Sequence, residues 1–267
     1  MAVAASVIGL TESRPGLARR LERWNPQRMG RPGFTSLHGL YWMLRLMWSM
    51  GHIYVADVRP ALRARRRQRR DDLLSHLLDE GWGVHAIMAE VITYGFAGMM
   101  TTREFINVAA WHMFTDDELR RAYLVGTEAE RFAILHELLQ LEPVLGNLKR
   151  RTTASIEVPG PDGPVTIPVG QLVDIDVSAA NLDPAAVGEH PTLVCPGRQI
   201  EAGASPMGLS FGAGPHRCPG AFIAIQETDI FLRRLLAEPG IRMQSPPRIS
   251  IEELSGYEAR GLVVAVR

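Results

Sequence analysis

The chain has 267 residues, 46% of them hydrophobic, which is enough apolar material to bury a sizeable core. Lysine plus arginine and aspartate plus glutamate number 29 each, so the overall field favours no particular partner. Two cysteines exclude a disulfide framework, and no apolar run is long enough to span a membrane. We therefore expect a cytoplasmic protein and, since no linker divides the chain, a single domain over residues 1–267.

The front of the chain predicts helices. Residues Ala2 to Leu10 and Pro15 to Trp24 have helical composition, with a break between them. Leu37 to Val55 predicts a helix unusually rich in aromatic residues and methionine. Core packing is the plainer interpretation of its apolar side chains. An adaptable lid over a substrate cleft and a helix lying in a membrane interface are the alternatives.

A run of arginines follows, from Arg63 to Arg70, and ends at Asp71 and Asp72. Such a run is usually a solvated helix face. A nucleic-acid patch is the alternative, but no aromatic residues for stacking on bases are interleaved with the arginines. We therefore expect no nucleic-acid partner.

A long central helix is predicted from Val84 to Phe114. Its middle, Gly95 to Thr102, contains two glycines and two threonines where a helix prefers stronger formers. Small residues at Ala97 and Gly98 can leave a groove for a diatomic ligand, and the Thr101 hydroxyl can donate to that ligand or to an ordered water. The alternative is a kink in which a threonine hydroxyl bonds to the preceding turn.

The pattern changes near residue 142. Two helices, Asp116 to Tyr123 and Thr127 to Leu141, close a helical region over 1–142. A β-rich region over 143–267 then begins, with a hairpin formed by Ser155 to Val158 and Val165 to Ile167 and a further strand at Leu172 to Val177. The fold class is therefore mainly α with small β-sheets.

The most informative stretch runs from Ser210 to Ala221 and presents Cys218 on a glycine-rich loop at the entrance of a buried helix. Gly212 and Gly214 allow positive φ, and Gly220 allows close backbone approach at the helix entrance. Backbone amides and the helix N-terminus favour the thiolate form of Cys218. We interpret Cys218 as a haem-iron ligand. The alternative is a structural cysteine on a glycine loop.

This stretch resembles the loop of the haem-thiolate monooxygenases, the cytochrome P450 family, which reads Phe-Gly-x-Gly-x-His/Arg-x-Cys-x-Gly. The resemblance is closest to bacterial soluble members and covers almost the whole chain. The segments that come first in the family have no counterpart here. It therefore implies a cytochrome P450-like fold lacking its N-terminal part.

The resemblance implies roles for individual residues. It makes Cys218 the ligand of the iron of haem b and Thr101 the residue that assists oxygen activation in the groove at Ala97 and Gly98. Further cofactor contacts are implied for Arg150 and His216 at the haem propionates and for a group around the sulfur and the porphyrin, namely Phe211, Gly220 and Ala224.

The chain departs from the family pattern at three positions. Met100 stands where the family has an acid before the threonine, and a methionine cannot relay protons. Gln140 stands where the family has the arginine of Glu-x-x-Arg, and Leu193 stands where it has a second arginine. Glu137 thus lacks both usual partners, and because an unpaired buried carboxylate is costly we expect a rewired brace through Arg198.

Together these features predict a cytochrome P450-type monooxygenase that inserts one oxygen atom of O2 into a small apolar organic molecule. Ferredoxin with its reductase, or a flavodoxin-type donor, would supply electrons, and Arg217, Arg233 and Arg234 can present positive charge to it. The alternative is a catalytically impaired haem-binding or structural remnant of such an enzyme, because of the missing front and Met100.

Overall fold

A computed structural model describes residues 2–24, 30–252 and 256–266. The chain divides into two compact units, Met1–Arg103 and Glu104–Arg267. The division falls inside the central helix rather than at a linker, and the single domain predicted over the whole chain stays a prediction.

Unit 1 is helical. Its elements are α1 (Ala2–Ile8), α2 (Leu17–Arg23), α3 (Leu37–Ile53), α4 (Arg59–Arg67), α5 (Leu73–Asp79) and the first part of α6 (Val84–Thr115), with a π-helical turn, Tyr54–Val58, joining α3 to α4. Polar side chains fix two of the helix starts: Ser36 accepts from the Gly39 N–H at α3, and Asp72 accepts from the Ser75 N–H at α5. The predicted helices are confirmed with shifts of a few residues at their ends.

Helix α3 differs from its prediction. Core packing is wrong for its large side chains, since Met47 and Trp48 are 65% and 59% exposed and Leu37 is 88% exposed. Only Gly39, Ser49 and Ile53 are buried on this helix. Most of the large apolar side chains of α3 thus form a stripe on its open side, whereas its packed side carries Gly39, Ser49 and Ile53.

The arginine run is also more varied than a solvated face. Most of its members are exposed, but Arg65 is 1% exposed. Its guanidinium donates to both carboxylate oxygens of Glu12 at 2.9 Å and also bonds Asp72. Hydrogen bonds and nearby negative charge raise the pKa of Arg65 against the opposing effect of burial, which lowers it. Arg65 therefore connects Glu12, in the segment between α1 and α2, to Asp72 at the start of α5.

Helix α6 is the longest element. The prediction of Val84 to Phe114 is confirmed, with one further residue at the C-terminal end. Among the described residues, no helix is both long and apolar enough to cross a bilayer.

Unit 2 begins in α6 and continues with α7 (Asp117–Val125) and α8 (Glu128–Leu141). Asp116 accepts from two backbone N–H groups at the start of α7. Thr127 and Glu130 form a reciprocal capping box at the start of α8. Both predicted starts are confirmed.

The strands form small antiparallel pairs. β1 (Asn147–Arg151) pairs with β4 (Leu172–Asp176), and β2 (Ile156–Val158) pairs with β3 (Val165–Ile167) as the predicted hairpin. Near the end of the chain β5 (Arg242–Ser245) pairs with β8 (Val263–Ala265), and β6 (Arg248–Glu252) pairs with β7 (Gly256–Arg260). The β-rich region thus begins at Asn147, close to the predicted boundary.

Three more helices complete unit 2. Short α9 (Val177–Asn181) and α10 (Pro184–Val187) precede a segment without regular structure, and α11 (Ala221–Leu236) follows the cysteine loop. The core of unit 2 packs Leu135 and Leu138 of α8 with Leu232 of α11. This packing fixes the helix that follows Cys218 against the helix that carries Glu137.

Candidate functional site

The backbone around Cys218 has the conformation that its glycines predicted. Gly212 and Gly214 have φ of 67° and 65°, in the left-handed region. The Cys218 N–H donates to the Phe211 carbonyl at 2.8 Å and closes the loop. A short 3-10 turn, Gly214–His216, lies between them. A backbone hydrogen bond therefore ties Cys218 to the start of its loop.

The Cys218 sulfur lies at the entrance of α11. The residue is half-buried and its thiol is free. Gly220 has φ of −92°, and a Cβ placed on it would lie 3.9 Å from the Cys218 Sγ, so the space beside the sulfur stays open. Gly220 caps α11 without a side-chain hydrogen bond. The first N–H groups of α11 are thus available to an anionic sulfur and its ligand.

The other predicted contacts in this unit are placed as follows. Phe211 packs against the core of unit 2, and His216 is exposed at the end of the 3-10 turn. Ala224 is half-buried in the first turns of α11, where its N–H donates to the Gly220 carbonyl at 2.9 Å. All three lie in the loop or in the first turns of the helix that it enters.

Arg150 is the fourth of the five residues of β1 and lies opposite Val173. Along β1 the burial alternates, so that Leu148 and Arg150 are half-buried whereas Lys149 and Arg151 are exposed. One guanidinium nitrogen of Arg150 donates to the Lys149 carbonyl at 2.9 Å. The inward face of the strand therefore favours Arg150 over Arg151 for a buried anionic group.

In unit 1 the middle of α6 presents small residues on an exposed stripe. Ala97 and Gly98 are exposed, and a Cβ on Gly98 would meet no atom within 4 Å. The Thr101 hydroxyl donates to the Ala97 carbonyl at 2.5 Å. This is the back-bonding arrangement that the kink alternative predicted, and it leaves the Thr101 oxygen able to accept but not to donate in this rotamer.

Met100 lies on another side of α6. Its side chain is 8% exposed and belongs to the core cluster of unit 1 with Met99 and Ile92. The position that holds an acid in the family thus packs here as an ordinary apolar residue.

The predicted brace through Arg198 is confirmed. Glu137 and Arg198 have side chains 4% and 7% exposed, and the Arg198 Nε lies 3.0 Å and 2.9 Å from the two Glu137 carboxylate oxygens. The Cys195 N–H donates to the same carboxylate at 3.0 Å. The two terminal nitrogens of Arg198 donate to backbone carbonyls, at 3.0 Å to Val187 and 2.6 Å to Leu193. Glu137 is therefore paired although its usual partners are absent.

Gln140 does not replace the missing arginine by contacting Glu137. Its amide nitrogen instead donates to the carbonyls of Asn181 and Pro191, at 2.6 Å and 3.2 Å. Leu193, at the position of the second arginine, is 55% exposed. The two departures thus remove charge from this region: the Gln140 amide nitrogen pairs two backbone carbonyls, whereas its amide oxygen is buried without a hydrogen-bond partner among the described residues.

A second buried brace was missed from the sequence. The Arg131 Nε and the Tyr123 hydroxyl each donate to the same Asp229 carboxylate oxygen at 2.7 Å, joining α7, α8 and α11. Burial, followed by the hydrogen bond to Asp229, raises the pKa of the Tyr123 hydroxyl. Arg131 and Asp229 lie 98 residues apart, and no local pattern marks them as a pair.

Solved structures of cytochrome P450 proteins have the same fold as this chain. P450BioI in complex with hexadec-9Z-enoic acid ligated acyl carrier protein has a TM-score of 0.77 at 21% identity, over 100% of this chain and 65% of that one. Cytochrome P450 TbtJ1 has a TM-score of 0.76 at 24% identity, over 98% of this chain and 67% of that one. The fold is therefore that of a cytochrome P450, represented over about two thirds of its length.

The sequence comparisons point to the same family. The cytochrome P450 family model matches residues 132–253. Mycocyclosin synthase of Mycobacterium tuberculosis is 30% identical over 185 residues, which are 67% of this chain and 42% of that protein. Erythromycin C-12 hydroxylase of Saccharopolyspora erythraea is 35% identical over 108 residues, 40% of this chain and 25% of that protein. The chain belongs to the cytochrome P450 family and spans less than half the length of these curated relatives.

Proposed function

We propose that this chain is a haem-thiolate monooxygenase that inserts one oxygen atom of O2 into a small apolar organic substrate. One observation carries the proposal: a half-buried free thiol, Cys218, lies at the start of α11, and its N–H donates to the Phe211 carbonyl across a loop that contains the left-handed glycines Gly212 and Gly214. A loop of this kind leaves room and backbone donors for a ligand of the sulfur. Membership in the cytochrome P450 family supports haem as that ligand.

Cys218 would hold haem b through its thiolate, and the bound haem would supply oxygen activation and electron transfer. This chain's own part is to keep the sulfur anionic and sheltered. The N-terminal dipole of α11 favours negative charge on Cys218, and Phe211, packed on the unit 2 core, limits the access of water. Ala224 and Gly220 keep the surface beside the sulfur free of bulky side chains.

Arg150 and His216 would bind the carboxylates of the cofactor. One guanidinium nitrogen of Arg150 donates to a neighbouring backbone carbonyl. A carboxylate can replace this acceptor and form a stronger, charge-assisted hydrogen bond. His216 is exposed and lies two residues before Cys218. Both assignments come from the family resemblance and are supported by these placements.

Thr101 would assist the delivery of a proton to O2 through its hydroxyl group. Since its hydroxyl donates to the Ala97 carbonyl, it would accept a hydrogen bond from a water molecule, or rotate to donate. Met100, buried in the apolar core, cannot relay a proton. We therefore propose slow, water-carried proton delivery past the exposed stripe of Ala97 and Gly98.

Electrons would come from a small acidic redox protein of the ferredoxin or flavodoxin type. Arg217, Arg233 and Arg234 are exposed, as are the apolar Phe222 and Phe231 near them in sequence. Positive charge around apolar side chains suits a transient partner of opposite charge. Cytoplasmic location agrees with a reduced thiol and stays a prediction.

The second candidate function is a haem-binding or structural remnant with no turnover. One observation favours it: Met100 is buried in the apolar core where the family has an acid. Such a protein would bind haem through Cys218 without producing oxidised substrate.

The test is to express the chain with a haem supply, reduce it and add carbon monoxide. The red-shifted absorption band of a thiolate-ligated haem is expected for the parent chain and for Cys195→Ser, whereas Cys218→Ser is expected to lose the band. Absence of haem from the parent chain would overturn the proposal. Consumption of NAD(P)H without product, in the presence of a redox partner, would favour the second candidate.

A further inference from the structure

A cluster of neutral polar side chains lies where α8, α9 and the cysteine loop meet. Gln140 is the penultimate residue of α8, and Asn181 is the last residue of α9; each is 1% exposed. The third member, Ser210, is the residue before Phe211. All three lie in unit 2, and none of them carries a charge.

Asn181 is the centre of this cluster. Its amide nitrogen donates to the Gln140 carbonyl at 3.0 Å and to the Ser210 hydroxyl oxygen at 3.1 Å. Its amide oxygen accepts from the Leu209 N–H at 2.7 Å. Its own carbonyl accepts from the Gln140 amide at 2.6 Å. Both side-chain donors and the acceptor of Asn181 are thus used, in directions that only an asparagine can serve.

The cysteine loop is fitted to Asn181. Gly208 has φ of 54°, and a Cβ placed on it would lie 2.1 Å from the Asn181 amide oxygen. Real Cβ atoms do not approach an oxygen so closely, so the loop backbone passes Asn181 at a distance that only glycine allows. Ser210 is fixed from the other side, because its hydroxyl donates to the Leu139 carbonyl at 2.6 Å.

The path from this cluster to the thiol is short. Ser210 is bonded covalently to Phe211, and the Phe211 carbonyl accepts the Cys218 N–H at 2.8 Å. A movement of Ser210 therefore moves the carbonyl that holds the Cys218 backbone. Asn181 of α9 and Leu139 of α8 restrain Ser210 from two helices, and this restraint extends to the Phe211 carbonyl.

We infer that Asn181 is a positioning residue for Cys218, acting through Leu209 and Ser210. It provides a neutral anchor for the cysteine loop in a region where the family's two arginines, at Gln140 and Leu193, are replaced. The role in holding an iron ligand rests on the proposed function. The mechanical role, restraint of the thiol, does not require the cofactor.

The first experiment needs no haem. In a Cys195→Ala background Cys218 is the only thiol, since the chain has two cysteines. We expect Asn181→Ala to raise the rate of Cys218 modification by 5,5′-dithiobis(2-nitrobenzoate) about tenfold, at a urea concentration and temperature where circular dichroism shows native helix content. Ser210→Ala keeps the Leu209 contact but removes the two hydrogen bonds of the Ser210 hydroxyl, and it is expected to give a smaller increase of about threefold.

The matched control is Asn107→Ala. Asn107 also donates one side-chain hydrogen bond to a backbone carbonyl, that of Ala259 at 3.1 Å, but far along the chain from the cysteine loop. It should lower stability without changing the reactivity of Cys218. Equal reactivity of Cys218 in the parent, Asn181→Ala and Ser210→Ala proteins would overturn the inference, as would an equal increase in Asn107→Ala.

The second experiment uses the haem-loaded protein and separates this inference from the proposed function. Asn181→Ala is expected to lower the fraction of carbon monoxide complex that shows the thiolate-type band by at least half, whereas Asn107→Ala keeps the parent fraction. If the parent never shows that band and Asn181→Ala still accelerates thiol modification, the proposed function fails and the positioning role stands. If the parent shows it and Asn181→Ala matches the parent in both measurements, the positioning role is wrong.

Discussion

The pair of Glu137 and Arg198 offers the sharpest test of how this chain is held together. Replacing Arg198 by leucine would leave the Glu137 carboxylate, which is 4% exposed, without its cation, while the Cys195 N–H still donates to it. It would also remove the donors that bond the Val187 and Leu193 carbonyls. Breaking a buried ion pair by removing one partner costs about 3–5 kcal/mol. We expect a loss of that size in the free energy of unfolding.

Urea unfolding followed by circular dichroism measures this loss. The control is Lys149→Leu, which breaks an exposed pair with Asp174 whose atoms lie 4.0 Å apart and is expected to cost about 0–1 kcal/mol. The double variant Glu137→Leu with Arg198→Leu should be more stable than Arg198→Leu alone, because it leaves no buried charge behind. A cost for Arg198→Leu no larger than that of Lys149→Leu would refute the reasoning.

Three further predictions follow from burial and backbone conformation. Met100→Glu places a carboxylate at a site 8% exposed and should cost at least about 3 kcal/mol in urea unfolding without restoring oxygen activation; full stability would contradict the core placement. Gly208→Ala should cost about 1–3 kcal/mol, and less in an Asn181→Ala background, which a double-mutant cycle measures. Burial lowers the pKa of His136, so the stability that its neutral form contributes is present above pH ~6.5 and is lost as the pH falls. Between pH 7.5 and 5.5 the free energy of unfolding should therefore depend less on pH in His136→Gln than in the parent. Equal slopes in the two proteins would contradict this.

Much of the fold follows from local signals. The period of apolar residues predicts α6 and α8, and the side chains of Asp116 and Thr127 mark where α7 and α8 begin. The loop of Cys218 is predictable for the same reason: its glycines determine the backbone over a dozen residues, and the structure has positive φ at Gly212 and Gly214. Such features depend on neighbours in the sequence.

The rest depends on contacts between distant residues. The apolar side chains of α3 follow a helical period, and this period would be the same whether the protein core or solvent surrounded them. The sequence therefore predicts the helix but not its burial, and the structure leaves Trp48 and Met47 exposed. The side-chain hydrogen bonds of Asn181 join residues 41, 29 and 28 positions away, so nothing beside Asn181 in the sequence indicates them. Arg198 could be predicted only because a buried carboxylate at Glu137 requires a cation.

The brace of Glu137 and Arg198 also explains how the chain tolerates Gln140 and Leu193. An arginine has five N–H donors, and Arg198 uses its three nitrogens for the Glu137 carboxylate and for backbone carbonyls of the 187–198 segment, including that of Leu193. Once this guanidinium satisfies the carboxylate, a second cation at position 140 would have no buried anion left to pair with. A neutral amide then serves better, because it bonds the Asn181 and Pro191 carbonyls without carrying an uncompensated charge into a site 1% exposed. The Glu137 carboxylate, through Arg198, and the Gln140 amide, through the Asn181 and Pro191 carbonyls, therefore each restrain a part of the segment that leads to Cys218.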